Sequence, residues 1–240
     1  MHHTLITVPE VRRLQLRDSC EIAIGYALIL IVVWTPNPIA RVLFWIAFAW
    51  FAVSTFIAQP GYSQLGLALS WKRADVVRSL LLVSSALVLA GIGIFSASRM
   101  HTLHSLYGSS PVPSHVWGYV VWSFMQQFIL QGYFLVRLLR IVPNRTTAIL
   151  LAAVMFSSVH LPNPLLTVAT LVWGAAACAL FLRYRNLYSL GAIHAVLGLC
   201  IAFTVPNAIH HHMRVGLGYL RYHHEFPVAH PANNTKAQGT

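Results

Sequence analysis

Acidic side chains are nearly missing from this chain. Its 240 residues hold five, Glu10, Asp18, Glu21, Asp75 and Glu225, and none falls between 76 and 224. A general base of carboxylate type is therefore out of sequence reach across the whole central stretch. Asp75 sits among Lys72, Arg73 and Arg78, where a solvated ion pair accounts for it, and Glu225 lies in the tail. Cysteine is almost as scarce. Cys20, Cys178 and Cys200 lie in or beside apolar runs without paired spacing, which excludes a disulfide frame or a cysteine metal site and leaves packing roles. The N-terminus lacks the basic, apolar and small-residue pattern of a cleaved signal peptide, so the first apolar run is expected to stay as an anchor. No internal repeat or long low-complexity segment is present.

What fills the chain is apolar. Hydrophobic residues make up 57%, charged residues only 9%, and the mean hydropathy is +0.66. A single water-soluble core cannot bury so much apolar surface at this size, so the chain reads as an all-α, polytopic transmembrane helical bundle. Spans are predicted at 20–34, 39–58, 79–98, 116–136, 146–160, 164–182 and 187–206. That makes seven crossings, with six to eight open because the first run is short and begins at Glu21. Residues 1–19 form an N-terminal interfacial segment, 20–206 the bundle, and 207–240 a histidine-rich tail that frays beyond Pro227.

The net charge of +11 raises nucleic acid as a partner, but its placement points elsewhere. With the N-terminus in the cytoplasm, Arg12, Arg13 and Arg17, then Lys72, Arg73 and Arg78, then Arg137, Arg140 and Arg145, then Arg183 and Arg185 all fall inside. The outside loops carry Arg41 and Arg99. This is the positive-inside pattern, and it explains the charge by the lipid bilayer alone, with no nucleic acid. Arg214, Arg221 and Lys236 run against it if the spans number seven.

Polar side chains inside hydrocarbon are costly, so those present are informative. Three groups stand out. Gln126, Gln127 and Gln131 interrupt "WSFMQQFILQGYFLVRLLR"; Phe156, Ser157, Ser158, His160 and Asn163 lie in "FSSVHLPNP"; His194 lies in "GAIHAVLG". At a rise of ~1.5 Å per residue, Gln127 lies about 15 Å from Arg137, His194 about 14 Å from Arg185 and His160 about 22 Å from Arg145, so all three reach membrane depth. Pro162 and Pro164 break the helix after His160, and broken backbone at that depth needs protein or a cavity around it. Gln127 and Gln131 share one helix face, with Gln126 turned about 100° away. Taken singly, each residue reads as glue between helices, worth about 0.6–2 kcal/mol. As a converging set they predict a polar cavity between the fourth, fifth and seventh spans.

The same residues carry a resemblance. "QQFILQGY", "FSSVH" and "GAIHAVLG" resemble the three successive motifs of the CPBP intramembrane proteases, the CAAX prenyl endopeptidase or Abi-type family: Glu-Glu-x-x-x-Arg, Phe-x-x-x-His and His-x-x-x-Asn or Asp. The resemblance covers about 117–200 and implies a CPBP-like helical core and hydrolysis of membrane-anchored peptides. It puts Gln126 and Gln127 at the paired glutamates, Gln131 at the arginine, Phe156 and His160 on the intact second motif, and Gly198 where Asn or Asp is expected after His194.

A neutral amide exchanges hydrogen bonds but does not take a proton from water near neutral pH. Loss of a general base typically forfeits about 10²–10⁴ in rate. Histidine is the side chain left to serve, so His160 and His194 are the expected catalytic pair, with Gln126 and Gln127 beside them. Gln131, Asn163, Phe156 and Ser157 are the expected substrate-binding residues. Zinc remains open as a cofactor, but a catalytic zinc wants three protein ligands, and the third would have to come from His115 or from His210, His211 or His212. Two functions follow. One is an atypical intramembrane endopeptidase acting on a membrane-anchored or prenylated peptide or protein. The other is a repurposed, non-proteolytic scaffold that binds a membrane protein, or binds or transforms an isoprenoid or another apolar small molecule.

Overall fold

The computed structural model describes residues 8–58, 64–68, 71–103 and 112–222. The remaining segments, including residues 223–240 with Glu225, lie outside the described residues, as does the side chain of His115. The described residues are helical and contain no strand: α1 (Val8–Trp34), α2 (Ile39–Ile57), α3 (Arg73–Arg99), α4 (Val112–Gln127), α5 (Val136–Ile141), α6 (Arg145–Ser158), α7 (Pro164–Tyr184), α8 (Leu187–Thr204), and the short α9 (Asn207–His210) and α10 (Gly216–Leu220).

Among them, α2, α3, α7 and α8 are long and apolar enough to cross a membrane. Their outward faces are apolar too. Leu80, Leu81 and Phe95 on α3, and Val168 and Val172 on α7, are each more than 60% exposed. A water-soluble protein does not leave apolar rows of this extent bare, so their solvent is lipid and the chain is an integral, multi-pass membrane protein.

The helices pair as α1 with α2, α3 and α4 with α8, and α6 with α7. Small residues set the close approaches. A Cβ on Gly191 of α8 would lie 2.5 Å from the Phe124 ring on α4, and one on Gly174 of α7 would lie 3.1 Å from the Phe156 ring on α6. Asparagines start three helices: Asn144, Asn163 and Asn186 each accept a backbone N–H of the helix that follows, offsetting donors that have no partner within the helix.

Two elements differ from the sequence expectation. The first apolar run is part of one 27-residue helix that begins at Val8. Its charged half is helical because it is paired: Arg17 with Glu21 at 3.3 Å, Asp18 with Arg140 at 2.8 Å and Glu21 with Arg137 at 2.6 Å. Arg137 is buried, stacks 3.9 Å above the Tyr133 ring, and donates to the carbonyl of Ser54. The expected span 116–136 is likewise no single α-helix. Between α4 and α5 the chain winds as a π-helix over Phe128–Leu135, where the amide of Val136 bonds back to the carbonyl of Gln131.

Candidate functional site in the bundle

The π-helical turn organises the first polar group. A wider turn changes which residues face inward, and here Leu130 through Leu138 are all buried. Gln127 and Gln131 are fully buried and bonded to each other, Gln131 Nε2 donating to Gln127 Oε1 at 3.3 Å. That bond directs the other end of the Gln127 amide at α8, where its Nε2 donates to His194 Nδ1 at 3.1 Å. The Cys178 thiol of α7 also approaches Gln131.

These bonds fix the proton on each imidazole. His194 Nδ1 accepts, so its hydrogen resides on Nε2. His160 Nδ1 lies 2.8 Å from the carbonyl of Phe156, which only accepts, so Nδ1 carries the hydrogen and Nε2 keeps its lone pair. One ring thus offers an acceptor and the other a donor. The Phe156 ring stands edge-on to both, with centroids 5.1 Å from His160 and 6.0 Å from His194. Trp173 of α7 supports His194 from another side, at 6.1 Å.

Both imidazoles and Gln126 line a cavity of about 180 Å³. Its walls are otherwise mainly apolar, from Ile29, Val32 and Val33 on α1, Phe44, Phe48 and Phe51 on α2, and Trp122 on α4. A second space of about 80 Å³ lies beside it, lined by Phe156 and again by Gln126 and His160. Gln127 and Gln131 are packed behind these walls. The face arithmetic for a regular α-helix separated the glutamines correctly but gave no indication of which side would meet the hollow. The α1 and α2 walls were not legible in the sequence, because uniformly apolar helices carry no mark of the face they present.

The proline break is tighter than its spacing implies. α6 ends at Ser158, His160 sits in the turn that follows, and Pro164 opens α7, where its missing N–H costs nothing. Asn163 is buried and heavily committed: its Oδ1 caps Leu166 N, and its Nδ2 donates to the carbonyls of His210 at 2.9 Å and Arg214 at 3.1 Å. Ser157 donates to the carbonyl of Thr167 at 2.7 Å, joining α6 to α7. Gly216 N completes the tie to Leu161 O at 2.8 Å, so the segment after α8 folds over the break and contributes Met213 and Val215 to the cavity wall. His211 meets the Tyr222 ring edge-on and His212 meets it at a tilt, with centroids 4.7 and 5.6 Å away.

Among the described residues, no three His, Cys, Asp or Glu side chains gather as a metal site. His160 and His194 have amides and aromatic rings for company, and Asp18, Glu21 and Asp75 are engaged elsewhere, the first two with the arginines of α5 and Asp75 with Arg78 at 2.9 Å. Among the described residues this donor set supplies two imidazoles, one short of the three protein ligands that a catalytic zinc wants.

Sequence comparison adds one finding to this geometry. No curated protein and no solved structure matches the chain. Residues 108–200, which carry Gln126, His160 and His194, match the family model described as Rce1-like, type II CAAX prenyl endopeptidase Rce1-like.

Proposed function

We propose that the chain is an atypical intramembrane endopeptidase that hydrolyses membrane-anchored peptides, with His160 and His194 as its catalytic residues. The observation that carries this reading is the opposed pair of imidazole tautomers at one cavity. His160 Nε2 takes a proton from water as the oxygen attacks the scissile carbonyl carbon. His194 Nε2–H donates to the oxygen that becomes negative. The C–N bond then breaks, and the proton held by His160 passes to the leaving amine. Gln126 offers its amide to the substrate backbone, while Gln127 and Gln131 hold His194 from behind. Phe156 keeps the two rings apart, and Asn163 and Ser157 hold the broken turn that positions His160. Seven crossings with a cytoplasmic N-terminus agree with the loop charges, and the apolar walls suit a lipidated or otherwise greasy substrate.

A second reading is favoured by those same walls. A cavity that is mainly aliphatic and aromatic, with an amide where a catalytic carboxylate is expected, also suits a non-proteolytic scaffold that holds an isoprenoid or other apolar small molecule. One experiment separates the two. Purified protein in lipid vesicles is offered a library of membrane-anchored peptides, and products are read by mass spectrometry. Cleavage lost in both His160→Ala and His194→Ala supports the endopeptidase. Products unchanged by both substitutions end it, and a co-purifying lipid that disappears in Gln126→Leu supports the scaffold.

A further inference from the structure

His194 and Gly198 lie one turn apart on the same face of α8, about 6 Å along the axis. The bare backbone at Gly198 is in use. A Cβ built there would overlap the hydroxyl of Tyr119 and stand 2.7 Å from its Cζ. The phenol of α4 therefore reaches into α8 to the depth of a missing side chain, and only glycine admits it. Tyr119 also lines the cavity shared by His160, His194 and Gln126. Its helix is steadied at that point by Ser123 Oγ, which donates to the Tyr119 carbonyl at 2.9 Å.

A tyrosine filling a glycine notch can be simple packing, and phenylalanine would fill the ring's share of the space equally well. The hydroxyl is what packing alone does not require. Here the residue lines the cavity, and its O–H lies against Gly198, one helical turn from a ring whose Nε2 is also a donor.

We propose that the Tyr119 hydroxyl is a second hydrogen-bond donor to the substrate oxygen, working with His194 Nε2–H and seated by Gly198. The carbonyl oxygen that gains charge when water adds accepts from both. No proton leaves the phenol; the bond shortens as charge develops, and it relaxes when the C–N bond breaks and the carbonyl re-forms. For its reaction this rests on the endopeptidase reading, whereas the donor itself is a property of the cavity that binding alone can reveal.

The test uses Tyr119→Phe, which keeps the ring and removes one oxygen, in the full chain in lipid vesicles. With a peptide that the wild-type protein cleaves, kcat is expected to fall about 10²-fold with KM nearly unchanged, as when one oxyanion donor is removed. Equal kcat in the two proteins overturns the proposal. Should the wild-type protein cleave nothing, the endopeptidase reading fails and the donor is judged by binding. The probe is dodecyl trifluoromethyl ketone, whose hydrated carbonyl presents a tetrahedral pair of oxygens and whose fluorines report by NMR. Weakening of at least about tenfold in Tyr119→Phe, with the matching trifluoromethyl alkane unaffected, upholds the donor, tenfold being about 1.4 kcal/mol. Equal affinity in both proteins, or binding by neither, overturns it.

Discussion

Gln127 Nε2 donates to His194 Nδ1 across 3.1 Å, and this one bond settles which nitrogen of the imidazole carries its hydrogen. The residue that aims the ring is itself buried beyond the cavity wall, so its influence passes entirely through His194. Replacing it by Leu should release the ring and lower cleavage by about 10-fold or more, since supporting partners of this kind tune an imidazole's orientation and tautomer. Gln127→Glu is the sharper test. A carboxylate accepts from Nδ1–H, which moves the hydrogen off Nε2 and turns a donor toward the cavity into an acceptor. Side-chain ¹⁵N shifts of His194 should exchange between the two nitrogens in this variant, and cleavage should fall even though a charge has been added.

Gln126 lines the cavity directly, so its replacement should act in the opposite sense. Gln126→Glu places a proton acceptor within the same hollow as His160. Cleavage in lipid vesicles is expected to rise by about 10²-fold, the usual scale of a general base. A rate that stays at the wild-type level would mean that His160 already supplies all the base catalysis the site can use.

Stability should depend steeply on Arg137. Its guanidinium is 1% exposed and paired with Glu21, itself 14% exposed. Arg137→Met removes the nearer partner of that partly buried carboxylate and leaves it only Arg17 at 3.3 Å, a change worth up to about 3 kcal/mol. Unfolding in mixed micelles should show it as a marked fall in midpoint, partly recovered when Glu21→Gln is added. Independent effects, adding without recovery, would argue that the two residues contribute separately.

Asp18 gives a pH signature at the same end of the bundle. Burial holds its carboxyl above the usual 3.8, outweighing the pull of the Arg140 guanidinium beside it. The folded protein therefore keeps this proton more tightly than the unfolded chain does. The contribution to stability is complete below pH 3.8 and fades as pH rises through the raised folded value. Melting curves followed from acid toward neutral pH should lose that component in Asp18→Asn, whose amide does not titrate.

The contact of α4 with α8 has its own test. Any side chain at Gly191 meets the Phe124 ring, with the first carbon 2.5 Å away. Gly191→Val should cost about 1–3 kcal/mol by overpacking. Gly118 has open space around it, and Gly118→Ala should leave the unfolding free energy unchanged or raise it by up to about 1 kcal/mol, since alanine suits a helix better than glycine.

Much of this was legible in the chain. Helices cover the apolar runs, and His160 and His194 line a common hollow as their depth implied, but the glutamine that joins them there is Gln126, while Gln127, whose depth was reckoned, is packed behind the wall. Composition speaks to environment, and a rise of constant size per residue converts position into depth. What the sequence left open was rotation and partnership. Arg137 and Arg140 read as cytoplasmic charges of the positive-inside pattern, yet they bind acids more than a hundred positions earlier. Asn163 read as a group offered to substrate, whereas three of its hydrogen bonds hold a turn together. Tyr119 carried no mark at all, because nothing in a local stretch tells that a glycine on another helix leaves room for a phenol.

The π-helical turn at Phe128–Leu135 makes the bundle sensitive to deletion in a way that substitution would never reveal. Such a turn is an α-helix with one residue too many, and the surplus sets the angular offset between Gln127 upstream and Arg137 downstream. Removing a single residue there would let the helix relax to ordinary winding and swing everything beyond it by about 100°. Either the amide that steers His194 or the guanidinium that anchors α1 would then face the wrong way. Length, as much as chemistry, is what that stretch encodes.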